Sequence, residues 1–424
     1  MPTRPEALPD GTILFHGGFH KTGTTAVQSA LASTRPTMLD NGVLYPGDLR
    51  SHHRAAMAVT GRTWGWGTKG GRPPRETYWS DLYTQVQAHP GRVVISSEAF
   101  SLAQEGALDR IMSDLGADRL HAVFTLRPFA RLLSSSYQQY LKYGLSVPYG
   151  TWLDEVFAAP PACPPSPNFW RRNDHAGVIG RWADLLGPDR VTLLVLDESD
   201  RGGLFRTFES LLGLPDGLLV PDPAISAGNR SMTAAEAEML RLVNAGGASG
   251  WEWPAYQDGV RRGAVMRMVE SRTPSPGEPA LATPEWAVRA AQAFGQETAH
   301  RVQALGVRVI GDISRLADAI PAADPPSGGI LLPVDAAAEA VLGGILGATA
   351  RLEAEREAAM VRWQAQSESA TRAAARAATN LTTRQAAALL RRQLDEARRR
   401  RLRRARGALT GGSSRPRTGP EAPE

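Results

Sequence analysis

The sequence predicts an α/β protein: a central parallel sheet flanked by helices, with a C-terminal helical tail. Three observations carry this expectation. Short, β-prone apolar runs alternate with helix-length stretches as far as about Pro321. The first such run opens straight into a glycine-rich turn and a helix. Beyond Gly329 the chain is dominated by Ala, Arg, Glu and Leu and carries no strand signal.

Taken in order, Thr12-Ile-Leu-Phe-His16 reads as a buried strand entering Gly17-Gly18, with a helix from Thr24-Thr25 towards Leu31. Residues Ser51 to Ser80, rich in Gly, Arg, Trp and Pro, read as an irregular excursion. Arg92 to Ser97 is a second strand and His121 to Leu126 a third, followed by a helix from Phe129 to Tyr143. Pro160 to Pro167 is a loop. A helix from Asp174 to Leu186 ends at Gly187-Pro188, and Val191 to Leu196 is the fourth strand. Ser231-Met-Thr-Ala-Ala-Glu236 has the look of a capped helix start, and Pro284 to Leu305 is helical. The expected organisation is a domain over 1–320, a linker over 321–329, a helical Ala/Arg-rich extension over 330–410 and a disordered tail over 411–424. The extension reads as one or two helices in which the apolar heptad of a coiled coil is weak.

Composition bounds the function classes. A chain of 424 residues accommodates one large α/β domain and additional material. Cys163 is the sole cysteine, which excludes an intrachain disulfide and fits a reducing compartment. The opening MPTRPEALPDG has no apolar run, and no stretch of about 18 apolar residues occurs. The expected location is therefore cytoplasmic, with peripheral membrane contact as an option. Residues Arg391 to Arg406 hold nine Arg against one Asp and one Glu, a net +7, whereas the whole chain is +5. The remainder thus sums to −2, so the basic character belongs to the tail, and no specific nucleic-acid binding is expected of the main domain.

The strongest motif is Gly17-Gly-Phe-His-Lys-Thr-Gly-Thr-Thr25. A phosphate-binding loop needs backbone N–H groups aimed at the anion, glycines that permit close approach and a helix N-terminus. Lys21 adds a compact positive charge; Thr24 and Thr25 add hydroxyl donors. Gly18 and Gly23 have the spacing of a nucleoside-triphosphate loop, GxxxxGK[ST], but Thr24 stands where that loop has lysine. The layout is P-loop-like without being that loop.

His-Lys-Thr-Gly-Thr-Thr after a strand resembles the phosphosulfate loop of the sulfotransferases that use 3′-phosphoadenosine 5′-phosphosulfate (PAPS), in particular bacterial members. The resemblance covers roughly 10–320 and implies a PAPS donor held by Lys21, Thr22, Gly23, Thr24 and Thr25, with Lys21 assisting the departing phosphate. The family's second signature is a strand ending in Arg with a Ser eight residues on, both on the donor's 3′-phosphate. Arg127 and Ser135 match it in Thr-Leu-Arg127-Pro and LRPFARLLSSSYQQY, with Ser134 and Ser136 leaving the register open by one. Arg131, Tyr137 and Gln138 are neighbours that line the site or simply pack. The resemblance also implies a base just past the strand between the two motifs. Glu98, after Ser96-Ser97, stands there, with capping of the next helix as its plain structural role. His20, beside Lys21, is a rival; His16 reads as a buried strand residue. His52-His53 lack further ligands at metal spacing, and no metal is expected. The chain departs from the family in lacking a clear Arg-Lys-Gly segment, for which Arg230 is a stand-in, and in the tail.

The resemblance implies an acceptor hydroxyl or amine. Trp64, Trp66, Tyr78 and Trp79 either line a carbohydrate or glycolipid site or pin a long loop. The Arg-rich tail offers self-association or contact with an anionic membrane. Two other classes compete: a kinase-like nucleotide-binding enzyme, which predicts Mg²⁺-dependent ATP binding, and a non-catalytic scaffold whose helical tail binds a partner.

Overall fold

Strand residues alternate between two faces, and here both faces are apolar, so the strands need cover on both sides. Six parallel strands form one sheet in the order β2-β3-β1-β4-β5-β6: β1 Ile13–His16, β2 Val43–Leu44, β3 Arg92–Ser96, β4 Leu120–Leu126, β5 Val191–Val195 and β6 Arg308–Ile310. The computed structural model describes residues 5–63, 72–200, 202–220, 230–323, 330–379 and 383–410. Ile13 and Phe15 of β1 join Val93, Ile95, Ala122 and Phe124 in the core of one face, while Leu14, Val94 and Val123 face the other.

The two faces are covered by different helices. Trp79, Leu82 and Val86 of helix Thr77–Ala88, Ile111 and Leu115 of helix Glu105–Leu115 and Trp182 of helix His175–Leu186 pack on the first. Val27, Ala30 and Leu31 of α1, Thr24–Ser33, and Phe208 and Leu211 of helix Gly203–Leu212 pack on the second. β1 is the centre. The chain passes from it to the β2 edge, returns to β3 at its side, and then crosses to β4 on the other side. Crevices at such a reversal, outside the carboxyl ends of the strands, are where open α/β sheets bind ligands.

The four strands expected from the sequence stand where their apolar runs put them. β2 and β6 were not expected, because two and three residues are too few to show a period. The stretch 51–80 is corrected: it contains a helix, His53–Val59, and the start of helix Thr77–Ala88. Ala55 to Val59 are buried against the sheet layer, so tertiary burial overrides the loop-like composition of their surroundings. Trp64 and Trp66 lie outside the described residues. Trp79 is a core residue, its Nε1 donating to Asp114 Oδ2 at 2.6 Å, which removes it from any acceptor surface.

A second core gathers α6, Phe129–Leu141, with helices Tyr149–Ala158, Phe169–Asn173, Ala234–Ala245 and Glu285–Ala304. The expected cap near Ser231 is Thr233, in a reciprocal capping box with Glu236. A helix from Trp253–Tyr256 continues as π-helix over Gln257–Met266 and returns to α-helix over Arg267–Ser271.

The compact unit does not stop at the expected 320; it runs to Arg351, and the rest of the chain forms a second unit. Helix Val334–Thr379 begins in the first unit, where Ala336 and Ala340 are buried in the second core and Asp335 accepts from Arg272 Nε at 2.6 Å. Its Gly343 lies against the π-helix so closely that an added Cβ would stand 2.1 Å from the Gly263 carbonyl oxygen. Among the described residues the extension comprises two helices, the second being Thr383–Thr410. The rest of the expected linker, 324–329, and the tail 411–424 lie outside the described residues. No helix among the described residues is long and apolar enough to cross a membrane.

Candidate functional site

The carboxyl ends of the central strands set the site. β1 pairs with β3 so that His16 faces Ser96, and with β4 so that His16 faces Val123. β4 therefore runs three residues further, to Leu126, and delivers Arg127 above the turn that follows β1. That turn reverses through left-handed backbone at Gly18, Lys21 and Gly23, with φ of 47°, 68° and 81°. Lys21 is the one non-glycine with positive φ among the described residues, a conformation costing roughly 1–2 kcal/mol. Strain of this kind persists where surrounding structure imposes it. α1 then starts at Thr24 with no side-chain cap and no acid in its first turn, so its free N–H groups and positive dipole end open onto the cleft.

That cleft has a volume of about 730 Å³. His20, Lys21, Gly23, Thr24, Thr25, Glu98, Arg127 and Ser135, which the sequence singled out far apart, all line it. Thr22 does not: its Oγ1 donates to the Phe19 carbonyl at 2.7 Å and pairs with Thr125 Oγ1 at 2.7 Å, so its side chain fastens the loop to β4. Arg230, the stand-in for the missing Arg-Lys-Gly segment, is turned away. It grips Glu236 through two bonds of 2.7 and 2.8 Å, completing that carboxylate's shell.

Arg127 donates from Nε to Glu198 Oε1 at 2.7 Å and from Nη1 to the Lys21 carbonyl at 3.4 Å. Arg131 meets the other Glu198 oxygen at 3.2 Å. Ser135 Oγ donates within α6, to the Arg131 carbonyl at 3.1 Å, and remains on the cleft wall. Tyr137 belongs to the second core, and Gln138 accepts from the Met232 backbone at 2.8 Å; both pack rather than line the cleft.

Glu98 opens a short 3₁₀ turn capped by Ser97, whose Oγ accepts from Ala99 N, so the Glu98 side chain is not the cap. Its Oε2 accepts from Gln28 Nε2 at 3.3 Å and its Oε1 lies 3.9 Å from His53 Nδ1. Burial alone would raise the carboxyl pKa; His53 and His20, with backbone and Gln28 hydrogen bonds, outweigh it and bring it down to about 2. Burial pushes His20 down to about 3 and also lowers His53, which Glu98 partly restores. At neutral pH Glu98 is an ionised carboxylate beside two neutral imidazoles. His16 is buried, bonded through Nδ1 to Ser96 Oγ at 2.8 Å and lowered to about 4 by burial. His52 accepts from Ser96 N through Nδ1 at 2.9 Å and is bonded to Pro46 O through Nε2, which makes it structural.

Sequence reasoning missed most of the charge. Arg50, Arg62, Lys142, Arg172 and Arg261 join Lys21 and Arg127 around the cleft, against two carboxylates, Glu98 and Glu270. These five come from five separate segments, so no local pattern could have grouped them. Lys21 is reached by solvent inside the cleft, yet the protein around it lowers its pKa by burial, and Arg261 and Arg127 lower it further. Lys142, at the end of α6, is pushed down to about 7 by burial first, then by Lys21, Arg261 and Arg230. Arg261 projects from the π-helix across the rings of Tyr143 and Trp253, at 5.0 and 5.8 Å. A walled, cationic cleft with an ionised carboxylate in it can hold a polyanion and accept a proton beside it. Compared with known proteins, the chain matches no family, no curated protein and no solved structure.

Proposed function

We propose that the protein is a sulfotransferase that moves a sulfuryl group from PAPS to an acceptor hydroxyl or amine. One observation carries the reading: a lysine-bearing glycine loop at a helix start, an Arg–Ser pair after the adjacent strand and a carboxylate after the strand on the other side converge on one cationic cleft. The donor's phosphosulfate fits at Lys21 and the first turn of α1, where unpaired N–H groups, hydroxyls and an ammonium meet. Its 3′-phosphate fits at Arg127 and Ser135, and there it would replace Glu198 on the Arg127 guanidinium. The acceptor oxygen forms its bond to sulfur as the bond from sulfur to the bridging oxygen breaks. The acceptor proton passes by way of the ionised Glu98 carboxylate to solvent, and 3′,5′-adenosine bisphosphate leaves with its new charge beside Lys21. By the same reading the enzyme works in the cytoplasm, where PAPS is the supply.

Calorimetric titration with 3′,5′-adenosine bisphosphate, without metal, tests the donor site. Binding that weakens at least about tenfold in Lys21→Ala and Arg127→Ala supports it. Glu98→Gln should bind the bisphosphate as wild type does while losing about 10²–10⁴-fold in turnover. No binding of the bisphosphate, with ATP and Mg²⁺ bound instead, would replace this reading with the kinase-like one.

A further inference from the structure

The cleft holds more positive charge than the donor so placed would use. Lys21 and Arg127 follow the ends of β1 and β4, and Ser135 stands in α6. On the flank beyond the end of β3, a second group lies beside the 3₁₀ turn that Glu98 opens. Arg62 follows helix His53–Val59 and donates from Nη1 to the Leu102 carbonyl at 3.1 Å. Arg172, in helix Phe169–Asn173, lies over the Tyr140 ring at 5.7 Å, and its buried Nε has no hydrogen-bond partner among the described residues. Neither guanidinium forms an ion pair with a described carboxylate. Burial, and after it Arg171 and Arg172, push the Arg62 pKa down to about 10. Guanidiniums that face one another in a walled cleft are costly unless an anion comes between them, and they match planar or tetrahedral oxyanions in shape. A neutral, apolar acceptor would leave that cost standing and bury it further.

We propose that this flank binds an acidic group of the acceptor: the substrate is a hydroxyl compound that also carries a carboxylate, sulfate or phosphate, gripped by Arg62 and Arg172 while its hydroxyl faces Glu98. The proposal rests on the sulfotransferase reading. In balance, the acceptor hydroxyl and PAPS give the sulfate ester and 3′,5′-adenosine bisphosphate, with one proton released through Glu98.

The test uses inorganic sulfate as the probe and the full chain. With the donor site saturated by 3′,5′-adenosine bisphosphate, sulfate should still bind, and Arg62→Gln and Arg172→Met should each weaken it about tenfold or more. Urea denaturation midpoints close to that of the wild type in both variants show that they fold. Transfer assays then compare glucose, glucuronate and glucose 6-phosphate, so that the two acidic sugars separate a carboxylate from a phosphate preference. Preference for an acidic sugar over glucose, lost in the variants, supports the proposal. No sulfate binding beside the bisphosphate, or variants that bind it as wild type does, overturns it and leaves the donor reading intact. Failure of the bisphosphate itself to bind wild type sinks the sulfotransferase reading, and this proposal with it.

Discussion

Lys142 shows how far a single residue's behaviour depends on its surroundings. In sequence it is one Lys in the last turn of the expected helix, in Leu-Lys-Tyr-Gly. In the fold, burial and three neighbouring cations hold its pKa down to about 7. An anion bound beside it would favour the ammonium and raise that pKa in the complex. The sign follows: affinity for 3′,5′-adenosine bisphosphate is full below about pH 7 and falls as pH rises from there through the higher value of the complex. Titrations between about pH 6 and about pH 9 should show this fall, and Lys142→Arg should flatten it. Glu98 contributes no such limb, because a carboxyl held down to about 2 stays ionised across that range. The left-handed Lys21 is the other residue whose role is set by neighbours. Its φ is imposed by the turn from His16 to Thr24, with Thr22 bolted to Thr125 just beyond it.

At the scale of elements, the loop, α1, β3 and β4 with α6 were legible in the sequence, because each pairs a local chemical signal with a regular period. The apolar runs, Gly17-Gly18 and the Thr-Leu-Arg127-Pro boundary need no distant partner to be read. The helix over His53–Val59 and the π-helical segment were not legible. The first sits among glycines and arginines, and its helicity comes from burying Ala55 to Val59. The second is fixed by what lies against it: a Cβ on Gly263 would meet the Gly343 carbonyl oxygen at 2.5 Å. Gly343→Leu should therefore wedge the two helices apart. A loss of roughly 1–3 kcal/mol, read from urea denaturation of the full chain, is expected, together with weaker bisphosphate binding because Arg261 rides on the displaced segment.

For the whole molecule, the division at Arg351 makes a prediction about truncation. A chain ending after Arg351 keeps Ala336, Ala340 and the Asp335–Arg272 contact, and should unfold cooperatively and bind bisphosphate as the full chain does. A chain ending at Pro321 loses all three, leaving Arg272 with one fewer carboxylate and a cavity where two alanines packed, and should be measurably less stable to urea. Equal stability of the two truncations would return the boundary to the composition break. The sequence by itself determined the class of fold and the loop, with Arg127, Ser135 and Glu98 as candidates, since strand period, glycine turns and residue types at short spacing are local properties. Only the tertiary structure decided that these meet in one cleft, that Thr22 and Arg230 face away from it, and that Arg62, Lys142, Arg172 and Arg261 complete its charge. Those facts depend on strand order and on helices brought together from across the chain, and no local spacing encodes them.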